Sequence, residues 1–206
     1  MSETGIGRVL VASLHQGIAD ILPDRLSFYE NWLHSKGLRD GTIGLAPLYA
    51  VLSFLREEKG EGEDHRRPPG DVYREITTRA GEYAADWTVE SMGGLERALL
   101  KAAPEWLRGR LLMRVGRRVV RSSYGGSHVK SRLRSRTADI AVRASIFCTV
   151  REPISYPLCG FYAAAFTRLL TNFDLRARAE VVTCRAKGEP TCAIRVDLLN
   201  RNQTEV

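Results

Sequence analysis

Apolar positions along roughly the first hundred residues recur at helical spacing. Val9 to Leu22 carries a periodic apolar stripe. Pro23-Asp24 then restarts a helix bearing Leu26, Phe28, Tyr29, Trp32 and Leu33, with Gly37 expected to end it. A third helix is predicted from Ala46 or Pro47 to about Lys59. Glu57 to Asp71 (EEKGEGEDHRRPPGD) is dense in charge, Gly and Pro and reads as a loop. Helical periodicity returns over Asp71 to Trp87, Glu90 to Ala102 and Pro104 to about Arg118.

The period then shortens. Val119 to Tyr124, followed by Gly125-Gly126, predicts a strand running into a turn. Ile140, Val142, Ala144, Ile146 and Cys148 alternate with Ala141, Arg143, Ser145, Phe147 and Thr149, the pattern of one long half-buried strand, which Pro153 and Pro157 break. Leu158 to Leu170 predicts a short apolar helix, with Ala163 to Ala165 allowing close packing. Ala177 to Arg185 and Cys192 to Leu198 predict strands joined by the hairpin loop AKGEPT. The expected class is α+β: N-terminal helices followed by an antiparallel sheet packed against helices.

Length and composition fit a chain with a real core. With 206 residues, 44% apolar and 27% charged, it is neither collagenous, nor a disulfide-dense mini-protein, nor generally disordered. Its longest uncharged stretches, Gly41 to Leu55 and Pro153 to Thr167, are too short to span a bilayer, so no transmembrane segment is expected. The N-terminal residues show no basic leader and no small-residue cleavage site, which predicts no secretory signal and a cytoplasmic, reducing location.

Charge is concentrated. The net charge of +7 comes from 31 basic and 24 acidic residues. The span from Trp106 to Ala138 holds ten basic residues (Arg108, Arg110, Arg114, Arg117, Arg118, Arg121, Lys130, Arg132, Arg134 and Arg136) and no acid. Arg110, Arg114, Arg117, Arg118 and Arg121 fall at helical spacing, with Leu111, Leu112, Val115 and Val119 on another face. This basic stripe suits a solvated face or an anionic ligand or partner. Nucleic acid is not expected to be the partner, because no helix-turn-helix, zinc-finger or RNP pattern is present.

Candidate chemistry centres on cysteine. Cys184 and Cys192 flank the hairpin loop, and Cys159 opens the apolar helix. Thiolates in such an arrangement suit tetrahedral zinc, but the same spacing fits buried packing thiols or a labile disulfide. Glu180, Glu189, Cys148 and His128 are the candidates for a fourth ligand. No GxGxxG follows a strand, no Ser-His-Asp or Cys-His arrangement is visible, and His15, His34, His65 and His128 are scattered. Non-catalytic binding is therefore the expected activity.

The segments PLCGFYAAAFTRLL and EVVTCRAKGEPTCAIRV resemble the 4-vinyl reductase domain family, in which a Cys starts a helix and a C-x-A-x-G-x-x-x-C hairpin follows. Cys159, Cys184, Ala186, Gly188 and Cys192 carry the match. The stretch from Ala80 (AGEYAADWTVESMGGLERALLKAAPEWLRGRLLM) is similar to the family's bacteriochlorophyll-biosynthesis members, so the resemblance runs from about Ala80 to Leu198. The helical periodicity before it places an N-terminal helical region over residues 1–60, and the resemblance implies a 4-vinyl reductase-like small-molecule-binding domain over residues 71–200. It also implies zinc on Cys159, Cys184 and Cys192. The Glu that completes the metal site in sensory relatives falls at Val181 here, which cannot ligate, and Glu180 should face the opposite way unless the strand is bulged.

The function so implied is binding of a small hydrophobic ligand, specifically a tetrapyrrole such as a bacteriochlorophyll precursor, as carrier or accessory factor in its biosynthesis. The alternative is a ligand-sensing regulatory or scaffold protein acting through dimerisation or a partner, and a homodimer is expected. Phe147, Phe161, Tyr162 and Phe166 would line the ligand pocket, although the same aromatics suit an ordinary core. Arg117 and Arg121, in the basic block, would meet propionates.

Overall fold

The computed structural model describes residues 6–33, 44–58, 68 and 70–199. Its elements are helices α1 (Arg8–Ile21), α2 (Leu26–Leu33), α3 (Leu45–Glu57), α4 (Asp71–Glu90), α5 (Gly94–Ala102), α6 (Glu105–Ser123) and α7 (Gly160–Thr171), with strands β1 (His128–Arg134), β2 (Thr137–Arg143), β3 (Ala177–Thr183) and β4 (Cys192–Leu198). The class is mixed α+β, as expected from the change of period along the chain.

Two close helix crossings position the interior. Helix α4 buries Val72, Tyr73, Ile76, Thr77, Ala80, Gly81, Ala84 and Ala85, a width that serves two neighbours rather than one. One neighbour is α1, the other α7. At the second crossing Gly81 lies directly against the Phe161 carbonyl, where a Cβ would collide with backbone. Tyr73 donates from its hydroxyl to the Leu158 carbonyl at 3.1 Å, fixing the approach to α7.

The sheet is antiparallel, in the order β1-β2-β4-β3. Ala138, Ile140 and Val142 on β2 and Ile194 and Val196 on β4 are buried against the helices. Asp139, Arg143 and Arg195 alternate with them on the solvent face. One continuous core runs from Leu10 and Leu14 on α1 through α4 and α7 to Ile194 and Val196 on β4.

Several expectations need correcting. Val119 to Ser123 is not a strand: α6 continues to Ser123 because Leu112, Val115, Val119 and Ser123 maintain a buried helical stripe that overrides β-branched propensity. The strand after the turn is β1, which the sequence pattern did not single out. The long strand from Ile140 also stops early. Strand β2 ends at Arg143, Ala144 adopts φ 54°, and Ile146–Cys148 form a 3-10 turn that buries three successive residues. The expected helix end at Gly37 lies outside the described residues, as does most of the loop from Glu57 to Asp71.

Candidate metal centre

Three local structures bring four cysteines together. Cys148 closes the 3-10 turn after β2, Cys159 caps the start of α7, and Cys184 and Cys192 flank the β3–β4 hairpin. The hairpin owes its geometry to a β-bulge. Val181 pairs with Ile194 but Thr183 with Ala193, so Val182 is the extra residue, 49% exposed. Strict alternation from the inward Val181 would turn Cys184 outward. The inserted residue reverses that phase, and Cys184 faces the interior with Cys192. Gly188 closes the loop in the left-handed region at φ 91°, a conformation natural to glycine. The bulge follows Glu180, which stays exposed opposite Arg195 and takes no part in the cluster.

All four thiols are buried and unbridged. Cys148 Sγ lies 3.4 Å from Cys184 Sγ and 3.4 Å from Cys192 Sγ, and all four sulfurs fall within 4.8 Å of one another. A zinc–sulfur bond of about 2.3 Å corresponds to sulfur–sulfur edges of about 3.8 Å in a regular tetrahedron. The donor set therefore fits one tetrahedral ion. A polynuclear iron–sulfur cluster would hold its thiolates further apart, since several irons and sulfides must lie between them.

Electrostatics divide the thiols. Hydrogen bonds from Cys148, Cys159 and Cys192, opposed by burial and aided by the Leu158 N–H, hold Cys184 well below the usual thiol range. That N–H donates to Cys184 Sγ at 3.3 Å. Cys192 is lowered by Cys148 and Cys159, with a contribution from the Arg185 N–H. Cys159 is pushed up by its sulfur neighbours Cys148, Cys184 and Cys192 and then by burial. Cys148 is pulled down by Cys159, but Cys184, Cys192 and burial outweigh that and raise it. The hairpin pair is thus the part of the cluster that backbone N–H groups face, from Leu158 at Cys184 and from Arg185 at Cys192.

The remaining sequence-predicted residues distribute differently. Phe147, Phe161 and Tyr162 are fully buried and pack on one another: Phe147 stacks on Phe161 with centroids 4.8 Å apart, and Tyr162 meets Phe147 edge-on at 5.4 Å. The buried Tyr162 and Ser145 hydroxyls have no hydrogen-bond partner among the described residues. Phe166 sits apart from this trio, its ring closed on Gly116 of α6. Arg117 is half-buried and Arg121 exposed, so Arg121 is not brought to the aromatics. His15 Nε2 is hydrogen-bonded to Glu30 Oε1 at 2.9 Å near the surface and His128 is exposed, so neither offers an interior imidazole. His34 and His65 lie outside the described residues.

A cleft of about 480 Å³ opens between α4, α7 and β3. Its floor is Pro157, Gly160, Ala163, Ala164, Ala179 and Val181; Arg74, Thr78, Glu82, Thr167, Arg168 and Glu180 form its polar margin. Gly160 directly follows Cys159, so the thiol cluster anchors the helix that makes this floor. No described helix is long and apolar enough to cross a membrane.

Comparison with known proteins bears on the fold. No family model matches the sequence, and no curated protein does. Among solved structures the chain is similar to an H-NOX protein from S. oneidensis in the Fe(II)NO ligation state, at 11% identity and a TM-score of 0.50, covering 95% of this chain and 100% of that one. It is also similar to the phenol-responsive sensory domain of the transcription activator PoxR with phenol, at 13% identity and a TM-score of 0.48, covering 75% and 74% of the two chains. The H-NOX likeness is one of architecture.

Proposed function

We propose that this chain is a non-catalytic, ligand-sensing domain that binds a small hydrophobic molecule in the α4–α7–β3 cleft, with a structural zinc ion on Cys148, Cys159, Cys184 and Cys192. The observation carrying this reading is that the cleft floor is the helix whose first turn the thiol cluster pins. The cleft has the volume and mixed lining typical of small-molecule sites. The H-NOX likeness and the resemblance to 4-vinyl reductase domains support the same direction.

Arg74, paired with Asp71 at 2.9 Å, and Arg168, held by Asp86 at 2.8 Å, stand at the margin, and an acidic end of the ligand, as in a tetrapyrrole propionate, would share them with those carboxylates. A tetrapyrrole precursor, carried or guarded during its biosynthesis, is the specific ligand proposed. The zinc would supply no chemistry to that ligand; it would hold the hairpin, the turn after β2 and the start of α7 in register.

Three measurements test this. Elemental analysis of protein kept from chelators should give one zinc per chain, and a value far below that rejects the metal. Added protoporphyrin should show a shifted absorption band, which Ala164→Trp abolishes by filling the cleft. No shift and no thermal stabilisation with any porphyrin or fatty acid would reject the binding site. A sensor acting by self-association should also show a concentration-dependent dimer in light scattering; a monomer at every concentration removes that mode.

A further inference from the structure

Helix α5 is amphipathic in the wrong direction for a core helix. Leu95, Ala98, Leu99 and Ala102 fall at i, i+3, i+4 and i+7, the stripe that ordinarily faces inward, yet all four are exposed. The helix buries Leu100 alone. Leu95 is 76% exposed, Leu99 63% and Trp106, at the start of α6, 64%; among the described residues no large apolar side chains are more exposed.

Beside this stripe runs a line of cations. Trp106, Arg110, Arg114 and Arg118 follow one another at four-residue intervals on α6, with Arg121 continuing the line, and all are exposed. Arg110 lies over the Trp106 ring, 5.7 Å from its centroid. Arg118 reaches Glu96 of α5 at 3.5 Å, tying the line to the apolar helix. Arg110, Arg114 and Arg121 have no carboxylate partner among the described residues. The basic block is not one continuous surface, however. Arg108 is spent on the carbonyls of Lys101, Ala103 and Phe173. Lys130, Arg132 and Arg134 alternate with Val129 and Leu133, and Leu133 approaches Gly109 of α6, so these three cations occupy the opposite face of the sheet.

We propose that α5 and the α6 arginine line form a docking face for an anionic phospholipid surface. Leu95, Leu99 and Trp106 enter the headgroup boundary, while Arg110, Arg114 and Arg121 meet lipid phosphates and carboxylates. An interfacial helix needs this combination of an outward apolar stripe, a flanking Trp and a basic margin. Nucleic acid would use the arginines but leave the leucines in water. A second copy seated symmetrically on the stripe would bring two arginine lines together.

Vesicle co-sedimentation of the full chain tests this, comparing phosphatidylcholine alone with phosphatidylcholine containing phosphatidylserine. The expected result is binding to the anionic vesicles that weakens with salt. The pairs Leu95→Ser with Leu99→Ser and Arg110→Glu with Arg114→Glu should each reduce it at least roughly tenfold. All four positions are exposed, so an unchanged melting curve confirms that these variants fold. Brominated lipid should quench fluorescence from Trp106, and Trp106→Phe should remove that quenching. Absence of vesicle binding, or equal binding to neutral and anionic vesicles, overturns the proposal. Retention of duplex DNA without vesicle binding, or a dimer that the leucine variants dissolve, reassigns the face and overturns it as well.

Discussion

Cys148 completes the thiol cluster, whereas the resemblance drawn from the sequence implied a carboxylate at the position of Val181. Replacing a thiolate by a hydroxyl removes a soft donor that zinc prefers, so Cys148→Ser should lower zinc affinity at least roughly tenfold in a chelator competition. Undiminished affinity would leave the ion on the other three sulfurs and make Cys148 a packing residue. Cys159, Cys184 and Cys192 were pointed to by the resemblance, spacing alone being equally that of buried packing thiols. Cys148 was only a candidate among others, because its position in an apparently alternating run concealed the 3-10 turn that swings it inward. Tyr162 makes a contrasting case. Burial pushes its phenol up, with the Ser145 and Ser127 hydroxyls pulling the other way, yet its oxygen lacks a hydrogen bond of acceptable geometry. Tyr162→Phe should therefore leave stability unchanged or raise it by up to about 1 kcal/mol, measured by urea unfolding, because an unpaired buried hydroxyl is removed and no formed bond is lost. A cost of about 1–2 kcal/mol would place a bridging water among these hydroxyls.

Between elements, the α4–α7 crossing is the contact the cleft depends on. Gly81 faces the Phe161 carbonyl, and a backbone atom in the middle of a buried helix cannot swing aside as a side-chain tip can. Gly81→Ala should cost about 1–3 kcal/mol in urea unfolding by forcing the helices apart. It should also weaken any ligand held over Gly160 and Ala164. Gly94 is the control: nothing lies near its missing Cβ, so Gly94→Ala should stabilise the chain by about 0.4–1 kcal/mol. Helix existence and order were legible in the sequence, because their apolar periods are long. Two boundaries were not. Val119 and Val120 have strand-like side chains but continue the buried face of α6, and the run from Ile140 keeps an apparent alternation past the positive φ at Ala144. In both places tertiary packing, invisible in a local window, decides the outcome.

The thiol cluster joins elements across the second half of the chain, so a metal bound there should control more than the hairpin. Cys148 holds the exit of β2, Cys159 the start of α7, and Cys184 with Cys192 the junction of β3 and β4. Helix α7 in turn packs against α4, α6 and β3, which extends that control to the helical layer and to the cleft. Zinc bound only by the folded chain, at a free concentration about a thousandfold above its dissociation constant, contributes about 4 kcal/mol. For a chain of this size that corresponds to a melting temperature higher by about 8–16 °C than in chelator. The difference should also depend on pH with a defined sign. Metal-bound sulfurs are deprotonated, so protons compete with the ion: the stabilisation is present at neutral pH and is lost as pH falls. Melting curves with and without chelator should accordingly stand apart at neutral pH and converge in acid. Coincident curves at neutral pH would show that the four sulfurs pack without a metal. A gap that widened in acid would be incompatible with thiolate ligation.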